Sequence, residues 1–253
     1  CFLDEVDTAL DDINVEESSE TKKLIEKFDL SSFEIETFIA LNYFNDEKCD
    51  IAIIECGMGG QVDATNVFVP VLSIITSVSL EHTSYLGKST SEIALMKAGI
   101  IKDEVPVLVG SVDEDALNVI NDVAKDRDSK LISVSLPGNV QFNNGFSFDY
   151  LTYYGLKISS LARYSVEDAV LAVDAITTLQ EKFPVNESSL REGLALMNMP
   201  ARMEIVHTNP TVIIDGAHNP EAMEKLVKSL EFPCNSQLIH TVFACFRDKN
   251  LER

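Results

Sequence analysis

Positive charge is scarce in this chain: 20 Lys and Arg residues stand against 41 Asp and Glu residues, so the formal net charge is −21. A protein that binds nucleic acid or an anionic membrane surface needs a basic face to neutralise phosphates. The composition therefore argues against both of these partners. Any phosphate-bearing ligand must be held by a few local cations, by helix N-termini or by a metal ion.

Membrane, secretion and disulfide signatures are missing as well. No apolar run approaches the ~18–20 residues that a membrane-spanning helix needs, and no signal peptide is visible. The five cysteines show neither a C-x-x-C motif nor a metal-binding spacing. We therefore expect reduced thiols and a cytoplasmic protein.

A phosphate-binding loop is also missing from these 253 residues. Gly87-Lys88-Ser89 resembles the end of G-x-x-x-x-G-K-[ST], but the first glycine of that motif would fall on His82. The chain starts at Cys1 and stops shortly after an apolar run, Leu238–Phe246, that is typical of an interior strand. Because a parallel sheet is covered on both faces, we expect further chain at both ends.

The densest pattern that is present is IAIIECGMGGQVDATN at residues 51–66. An apolar, β-branched run ends in a single carboxylate, Glu55, and a turn containing Gly57 and Gly59 follows at once. In α/β folds ligands bind at the C-terminal ends of parallel strands, and glycines let the backbone approach a ligand closely. The pattern predicts a metal or polar-ligand site at Glu55, with a plain strand-to-helix turn as the alternative.

A second group of residues, LEHTSYLG and then KAGI, carries His82 and Lys97. His82 follows another apolar run, so its side chain and that of Glu55 can converge at one sheet edge. A carboxylate-led site with few protein ligands suits Mg²⁺ or Mn²⁺. The structural alternatives are a hydrogen-bonded His82 and a Lys97 that reaches solvent or the dipole at its helix C-terminus.

A third group is TVIIDGAHNP at residues 211–220. Asn219 is a favourable N-cap and Pro220 a favourable first helical residue. The helix N-terminus then faces the loop that carries Asp215 and His218, which gives an anion-binding pocket with an acceptor and a titratable group. A capped strand–helix connection explains Asn219 and Pro220, but it does not explain Asp215 and His218 together.

Strands and helices alternate along the chain, which predicts an α/β fold with a mostly parallel, doubly wound sheet. Capping boxes predict helix starts at Ser31 and Ser89. The other predicted helices are 116–127, 166–181, 188–197 and 220–230. The predicted strands are 51–54, 71–78, 105–109, 203–206, 212–214 and 238–246, with an antiparallel part formed by 131–134 and 139–158.

The segments ECGMGGQVDATN, LEHTSYLG with IALMKAGI, PARME and DGAHNP resemble, in order and spacing, the folylpolyglutamate synthase/dihydrofolate synthase family of the Mur ligase superfamily. The resemblance implies a Mur ligase central ATPase domain over residues 1–200 and the start of a Rossmann-like glutamate-ligase domain over residues 201–253. Such enzymes use ATP to phosphorylate a carboxylate of folate or dihydropteroate, and L-glutamate then attacks the acyl phosphate. We expect a monomer.

The resemblance also implies metal and catalytic roles. Glu55 and His82 match metal-binding positions. Lys97 matches a lysine that is carbamylated in this family, where the added carboxylate helps to hold a second metal ion. Asp215 and His218 match residues that handle the nucleotide and the incoming glutamate.

Nucleotide contacts are implied at further positions. Arg202 matches an arginine that contacts ATP phosphates, and Gly57 and Gly59 match the loop beside the folate and phosphate sites. Where the family reads His-Gln-x-x-Asn-Ala at a helix start, this chain has Tyr164 and Asp168. An aspartate in place of a nucleotide-facing asparagine would repel phosphate or change the adenine contacts.

Two other functions stay open at this point. The missing phosphate loop and Asp168 suggest a truncated or degenerate relative that binds without catalysis. The second alternative is a peptidoglycan amino-acid ligase of the Mur type, which shares the superfamily.

Overall fold

The structure is a computed structural model that describes residues 27–80, 83, 85–234 and 238–244. The chain divides into two compact units, with the boundary between Val69 and Pro70. The first contains helix α1 (Ser32–Asp46) and the glycine-rich segment, and the second contains every strand of the described residues. No helix in these ranges is long and apolar enough to cross a membrane. The division predicted at residue 200 stays a prediction.

Helix α1 begins at the predicted capping box. The Ser31 hydroxyl accepts a hydrogen bond from the Glu34 amide, and the Glu34 carboxylate accepts one from the Ser31 amide in return. Two of the amides left without helical partners at the N-terminus are thereby satisfied. The carboxylate also complements the positive end of the helix dipole.

The second unit begins with a parallel sheet of β1 (Ser73–Ile75), β2 (Val107–Val109) and β3 (Leu131–Ser133), in the order β1-β2-β3. Helix α2 (Thr90–Ala98) separates β1 from β2 in sequence, and α3 (Glu114–Asp126) separates β2 from β3. The central strand is buried along its whole length, and apolar side chains of both helices complete its core. Because the strands are parallel, their carboxyl ends meet at one edge.

An antiparallel sheet follows, formed by β4 (Gly138–Phe142), β5 (Phe146–Tyr150) and β6 (Tyr153–Ile158). Asn144 and Gly145 turn the chain between the first two strands with positive φ angles of 50° and 133°. Helices α4 (Ser165–Leu179) and α5 (Glu187–Leu196) contribute to the second apolar core with this sheet.

The last described elements are the antiparallel pair β7 (Glu204–Thr208) and β8 (Thr211–Ile214) and helix α6 (Pro220–Leu230). The Asn219 side chain accepts a hydrogen bond from the Ala222 amide at 2.8 Å, and Pro220 is the first helical residue. Both predicted features of this helix start are confirmed. The α/β fold class is confirmed too, with its strands divided among three sheets.

Three strand predictions were wrong in detail. Residues 51–54 pair with no strand of the described chain, and Ile53 is 90% exposed. Residues 238–244 lie in no strand, and the rest of that predicted strand falls outside the described residues. Leu131–Ser133 joins the parallel sheet rather than the antiparallel part, because α3 supplies the crossover that parallel pairing requires.

Candidate functional site

The glycine-rich loop of the first unit is organised by Asp63. Its Oδ2 accepts the Met58 amide at 2.8 Å, and its Oδ1 accepts the Thr65 amide at 3.0 Å and the Thr65 hydroxyl at 2.6 Å. Partial burial acts to raise the pKa of Asp63, but these hydrogen bonds outweigh it and hold the pKa below its ordinary value. The ionised carboxylate therefore fixes the loop from Met58 to Thr65.

Two glycines of this loop are required by its geometry. A Cβ atom at Gly57 would lie 2.7 Å from Cζ of Phe33, so the aromatic ring of α1 packs directly on the backbone. Gly59 has a φ of 68°, in the left-handed region that favours glycine. The predicted glycine-rich turn is therefore present, and Glu55 stands at its beginning with an exposed side chain.

The predicted metal ligands are only partly described. Glu55 lies in the first unit, Lys97 lies in the last turn of α2, and His82 lies outside the described residues. Within the described ranges, no three His, Cys, Asp or Glu side chains gather into a metal-binding group. An exposed carboxylate such as Glu55 nonetheless fits Mg²⁺, which keeps several waters and takes one or two protein carboxylates. The metal site stays a prediction.

A cleft of about 120 Å³ lies at the carboxyl edge of the parallel sheet. Hydroxyl groups of residues that follow the three strands face it, and two carboxylates of α4 and one ammonium group of α6 lie on its other side. These residues are Thr76, Ser77, Ser111 and Ser135, then Glu167, Asp168 and Lys225. The carboxyl edge is where open α/β sheets bind ligands, so this cleft is the candidate nucleotide-binding site.

Lys225 joins helix α6 to helix α4. Its Nζ lies 3.4 Å from Glu167 Oε2 and 3.2 Å from Glu221 Oε1. Partial burial acts to lower the pKa of Lys225, but the two carboxylates outweigh it and raise the pKa. One turn later the buried Ser229 hydroxyl accepts the Arg163 amide at 2.9 Å, which links α6 to the segment just before α4.

Asp168 lies beside this ion pair. Reduced hydration in the cleft raises the pKa of Asp168, and the like charge of Glu167 adds to the effect. The positive charges of Lys225 and Arg202 oppose this shift without cancelling it. Asp168 is therefore an acidic group that lines the cleft together with the cation Lys225, a distribution that accommodates a polar ligand.

Asp215 is the centre of a second hydrogen-bond cluster. Its Oδ2 accepts the Tyr164 hydroxyl at 2.7 Å and the Met203 amide at 2.9 Å, and its Oδ1 accepts the Ala217 amide at 2.8 Å. Burial and the hydrogen bond to this carboxylate raise the pKa of Tyr164. No local sequence pattern indicates this pair, because the partners are 51 residues apart.

Arg202 and His218 lie close to that carboxylate. The Gly216 amide donates to the Ala201 carbonyl at 2.8 Å, and a Cβ atom at Gly216 would lie 2.5 Å from Nη1 of Arg202. His218 is exposed, with Nδ1 2.8 Å from the Gly216 carbonyl oxygen. The structure thus brings Arg202, Asp215 and His218 to one loop region, and the roles assigned to them stay predictions.

The comparisons with known proteins agree with these features. Residues 201–253 match the family described as Mur ligase, glutamate ligase domain. A dihydrofolate synthase/folylpolyglutamate synthase of Bacillus subtilis is 33% identical over 232 residues, which is 87% of this chain and 54% of the relative. A folylpolyglutamate synthase of Lacticaseibacillus casei is 32% identical over 233 residues, or 88% of this chain and 54% of that protein.

Solved structures give the same result. A folylpolyglutamate synthase of Thermotoga maritima superposes with a TM-score of 0.70 at 33% identity, covering 85% of this chain and 50% of that one. An FPGS–AMPPCP–folate complex superposes with a TM-score of 0.77 at 31% identity, covering 83% of this chain and 54% of that one. The chain therefore spans about half the length of the proteins that it matches.

The α/β fold and the match over residues 201–253 are those of a Mur ligase. Within that class, the chain belongs to the folylpolyglutamate synthase/dihydrofolate synthase family.

Proposed function

We propose that this chain acts in the ATP-dependent addition of L-glutamate to a carboxylate of folate or dihydropteroate, as a cytoplasmic monomer. The observation that carries the proposal is the cleft at the carboxyl edge of the parallel sheet, which Lys225 of α6 faces together with Glu167 and Asp168. It supports nucleotide binding because the cleft supplies hydroxyl groups and a cation in a chain of otherwise strongly negative charge.

The reaction has two steps. A carboxylate oxygen of the pteroate attacks the γ-phosphorus of ATP, and the bond to the β,γ-bridging oxygen breaks to release ADP. The glutamate nitrogen then attacks the acyl carbon, the bond from that carbon to the phosphate oxygen breaks, and the nitrogen loses a proton. Negative charge develops on the β,γ-bridging oxygen as its bond to phosphorus breaks, so cations near the phosphates accelerate the first step.

Arg202 is the cation that we assign to the phosphates. It is exposed, and among the described residues its side chain donates a 3.3 Å hydrogen bond from Nη1 to the Ala201 carbonyl, so several of its N–H donors face solvent and can reach a ligand. Asp215 accepts the Met203 amide on one side of Arg202, and the neighbouring Gly216 amide donates to the Ala201 carbonyl on the other side. Asp168 is assigned to the nucleoside, with Gly57 and Gly59 in the loop beside the folate.

His218 is assigned to the glutamate amine. The Gly216 carbonyl oxygen can only accept a hydrogen bond, so Nδ1 of His218 must carry the ring proton. The neutral ring then has Nε2 as its acceptor, which can take the proton that the glutamate nitrogen loses.

Mg²⁺, or Mn²⁺ in its place, would neutralise phosphoryl charge when bound. Glu55, His82 and a carbamylated Lys97 are the ligands that we assign to it. Carbamylation converts the ammonium group of Lys97 into a carboxylate, which is the kind of oxygen ligand that these ions prefer.

The test is an assay of ADP release with ATP, Mg²⁺, L-glutamate and either dihydropteroate or a reduced folate. We expect release that depends on both glutamate and the pterin, and a loss of at least ~100-fold in Arg202→Ala. Arg127→Ala is the matched control, since Arg127 pairs with Asp103 on the surface at 3.0 Å. Turnover only with UDP-linked muramyl peptides would instead identify a peptidoglycan ligase, and no turnover with any acceptor would indicate a non-catalytic relative.

A further inference from the structure

A buried acidic group on helix α4 has no part in the reaction described above. Asp174 is 8% exposed and Tyr150 of strand β5 is 3% exposed. The Tyr150 hydroxyl lies 2.6 Å from Asp174 Oδ2 and 3.1 Å from the Ser135 amide nitrogen. A buried carboxylate is unfavourable unless it is hydrogen-bonded. The contact with Tyr150 therefore strongly constrains the relative position of the two side chains.

The direction of both hydrogen bonds is fixed by the groups involved. The Ser135 amide can only donate, so the tyrosine oxygen accepts from it. The single tyrosine proton is then left for Asp174. Burial and the bond to Asp174 raise the pKa of Tyr150 to about 12, so the hydroxyl stays protonated over the physiological range.

This chain of contacts joins the two sides of the candidate cleft. Ser135 belongs to the segment 134–137, which follows β3 and lines the cleft. On the opposite side, Val170 and Leu171 of α4 line the same cleft, and Asp174 follows them by one helical turn. Tyr150 is therefore a bridge that sets how far segment 134–137 lies from α4.

We propose that Asp174 and Tyr150 are positioning residues, which hold segment 134–137 in place and so set the width of the nucleotide-binding cleft. The proposal rests on the proposed function, since it takes the cleft to be the ATP site. Neither residue touches the reacting atoms. The expected effect is therefore on ATP binding, with little effect on the chemical step.

The first experiment is amide hydrogen exchange of segment 134–137 in Tyr150→Phe. The variant keeps the ring and removes the hydroxyl, so the Ser135 amide loses its acceptor. We expect exchange of the Ser135 amide to become at least ~10-fold faster, because the amide loses the hydrogen bond that protects it from solvent. Tyr154→Phe, on an exposed side chain of strand β6, is the matched control and leaves the rate unchanged.

The second experiment is steady-state kinetics of the same variants. We expect Tyr150→Phe to raise the KM for ATP ~5–10-fold and to change kcat less than ~2-fold. Asp174→Asn keeps an oxygen that accepts the Tyr150 proton, so it should restore most of the affinity that Asp174→Ala loses. Recovery of ATP affinity in Asp174→Asn distinguishes a positioning role from general destabilisation. If Asp174→Ala fails to fold, Asp174→Asn can still be compared with the wild-type protein.

The two readouts distinguish failure of this proposal from failure of the proposed function. Unchanged exchange in Tyr150→Phe overturns the proposal, whatever the kinetics show. Faster exchange with an unchanged KM for ATP also overturns it, because the segment then has no part in nucleotide binding. An inactive wild-type protein refutes the proposed function, and the exchange rates alone then decide whether Tyr150 holds segment 134–137.

Discussion

The chain contains two loops that are each organised by a single aspartate, and they differ in how far the aspartate reaches. Asp63 accepts hydrogen bonds from Met58 and Thr65, which lie five and two residues away. Asp215 accepts them from Tyr164 and Met203, which lie 51 and 12 residues away, and from Ala217. One carboxylate orders a local turn, and the other connects distant parts of the chain around the candidate site.

The difference predicts unequal consequences of mutation. Loss of the Asp63 carboxylate frees the one loop from Met58 to Thr65. Loss of the Asp215 carboxylate frees the start of α4, the turn before β7 and the loop before α6 at the same time. Asp215→Ala, Tyr164→Phe and Asp63→Asn test this contrast, and Lys225→Met adds a partly exposed ion pair for comparison.

The largest effect is expected for Asp215→Ala. Three donors lose their acceptor, so we expect the free energy of unfolding to fall by about 2–3 kcal/mol and ADP release to fall at least ~100-fold. Urea denaturation and the ligase assay measure the two effects. Tyr164→Phe removes one donor only and should lower the free energy of unfolding by about 1 kcal/mol. Equal losses of unfolding free energy in Asp215→Ala and Tyr164→Phe would contradict the role of Asp215 as an acceptor that joins several segments.

For Asp63→Asn we expect an intermediate effect, a fall in the free energy of unfolding of about 1–2 kcal/mol at pH 7. The pKa of Asp63 is lowered in the folded state, so its ionised form stabilises the fold above the ordinary pKa. That stabilisation is lost as the pH falls through the folded-state pKa. The difference in unfolding free energy between wild type and variant should therefore be full at pH 7 and shrink as the pH falls through the folded-state pKa. A difference that is constant with pH would exclude the ionised carboxylate as its cause.

The smallest effect is expected for Lys225→Met. The lysine and both of its carboxylate partners are partly exposed, so solvent screening limits the loss of unfolding free energy to about 0.5 kcal/mol. Most of that loss should vanish in 1 M NaCl, where charges are screened within ~3 Å. Lys125→Met is the control, because its partner Asp122 is 78% exposed. A salt-independent loss of more than ~1 kcal/mol would mean that Lys225 acts by packing.

Local rules predicted the helix starts well. Ser31 with Glu34, and Asn219 with Pro220, involve residues at most three positions apart, so the sequence contains both partners of each cap. The capping box predicted at Ser89 was confirmed only in part. Ser89 accepts from the Glu92 amide, but the Glu92 carboxylate accepts from the Lys88 amide at 2.6 Å instead of returning a bond to Ser89.

Long-range partners were not predictable in the same way. Asp215 was identified as a site residue from its glycine-containing loop, whereas Tyr164 was seen only as a departure from the family pattern. The buried Tyr150–Asp174 pair was missed altogether, because an aspartate within an apolar helix has no local feature that indicates its partner 24 residues earlier. Pairing of Leu131–Ser133 with the parallel sheet depended likewise on a distant strand.

The central claim is that the pterin carboxylate is phosphorylated before glutamate attacks it. The most direct test is to supply the pterin substrate with ¹⁸O in that carboxylate and to analyse the inorganic phosphate that forms with ATP and L-glutamate. The proposed reaction breaks the bond from the acyl carbon to the bridging oxygen, so one ¹⁸O atom must appear in each phosphate. Phosphate without ¹⁸O, formed alongside a glutamylated product, would contradict the acyl-phosphate route.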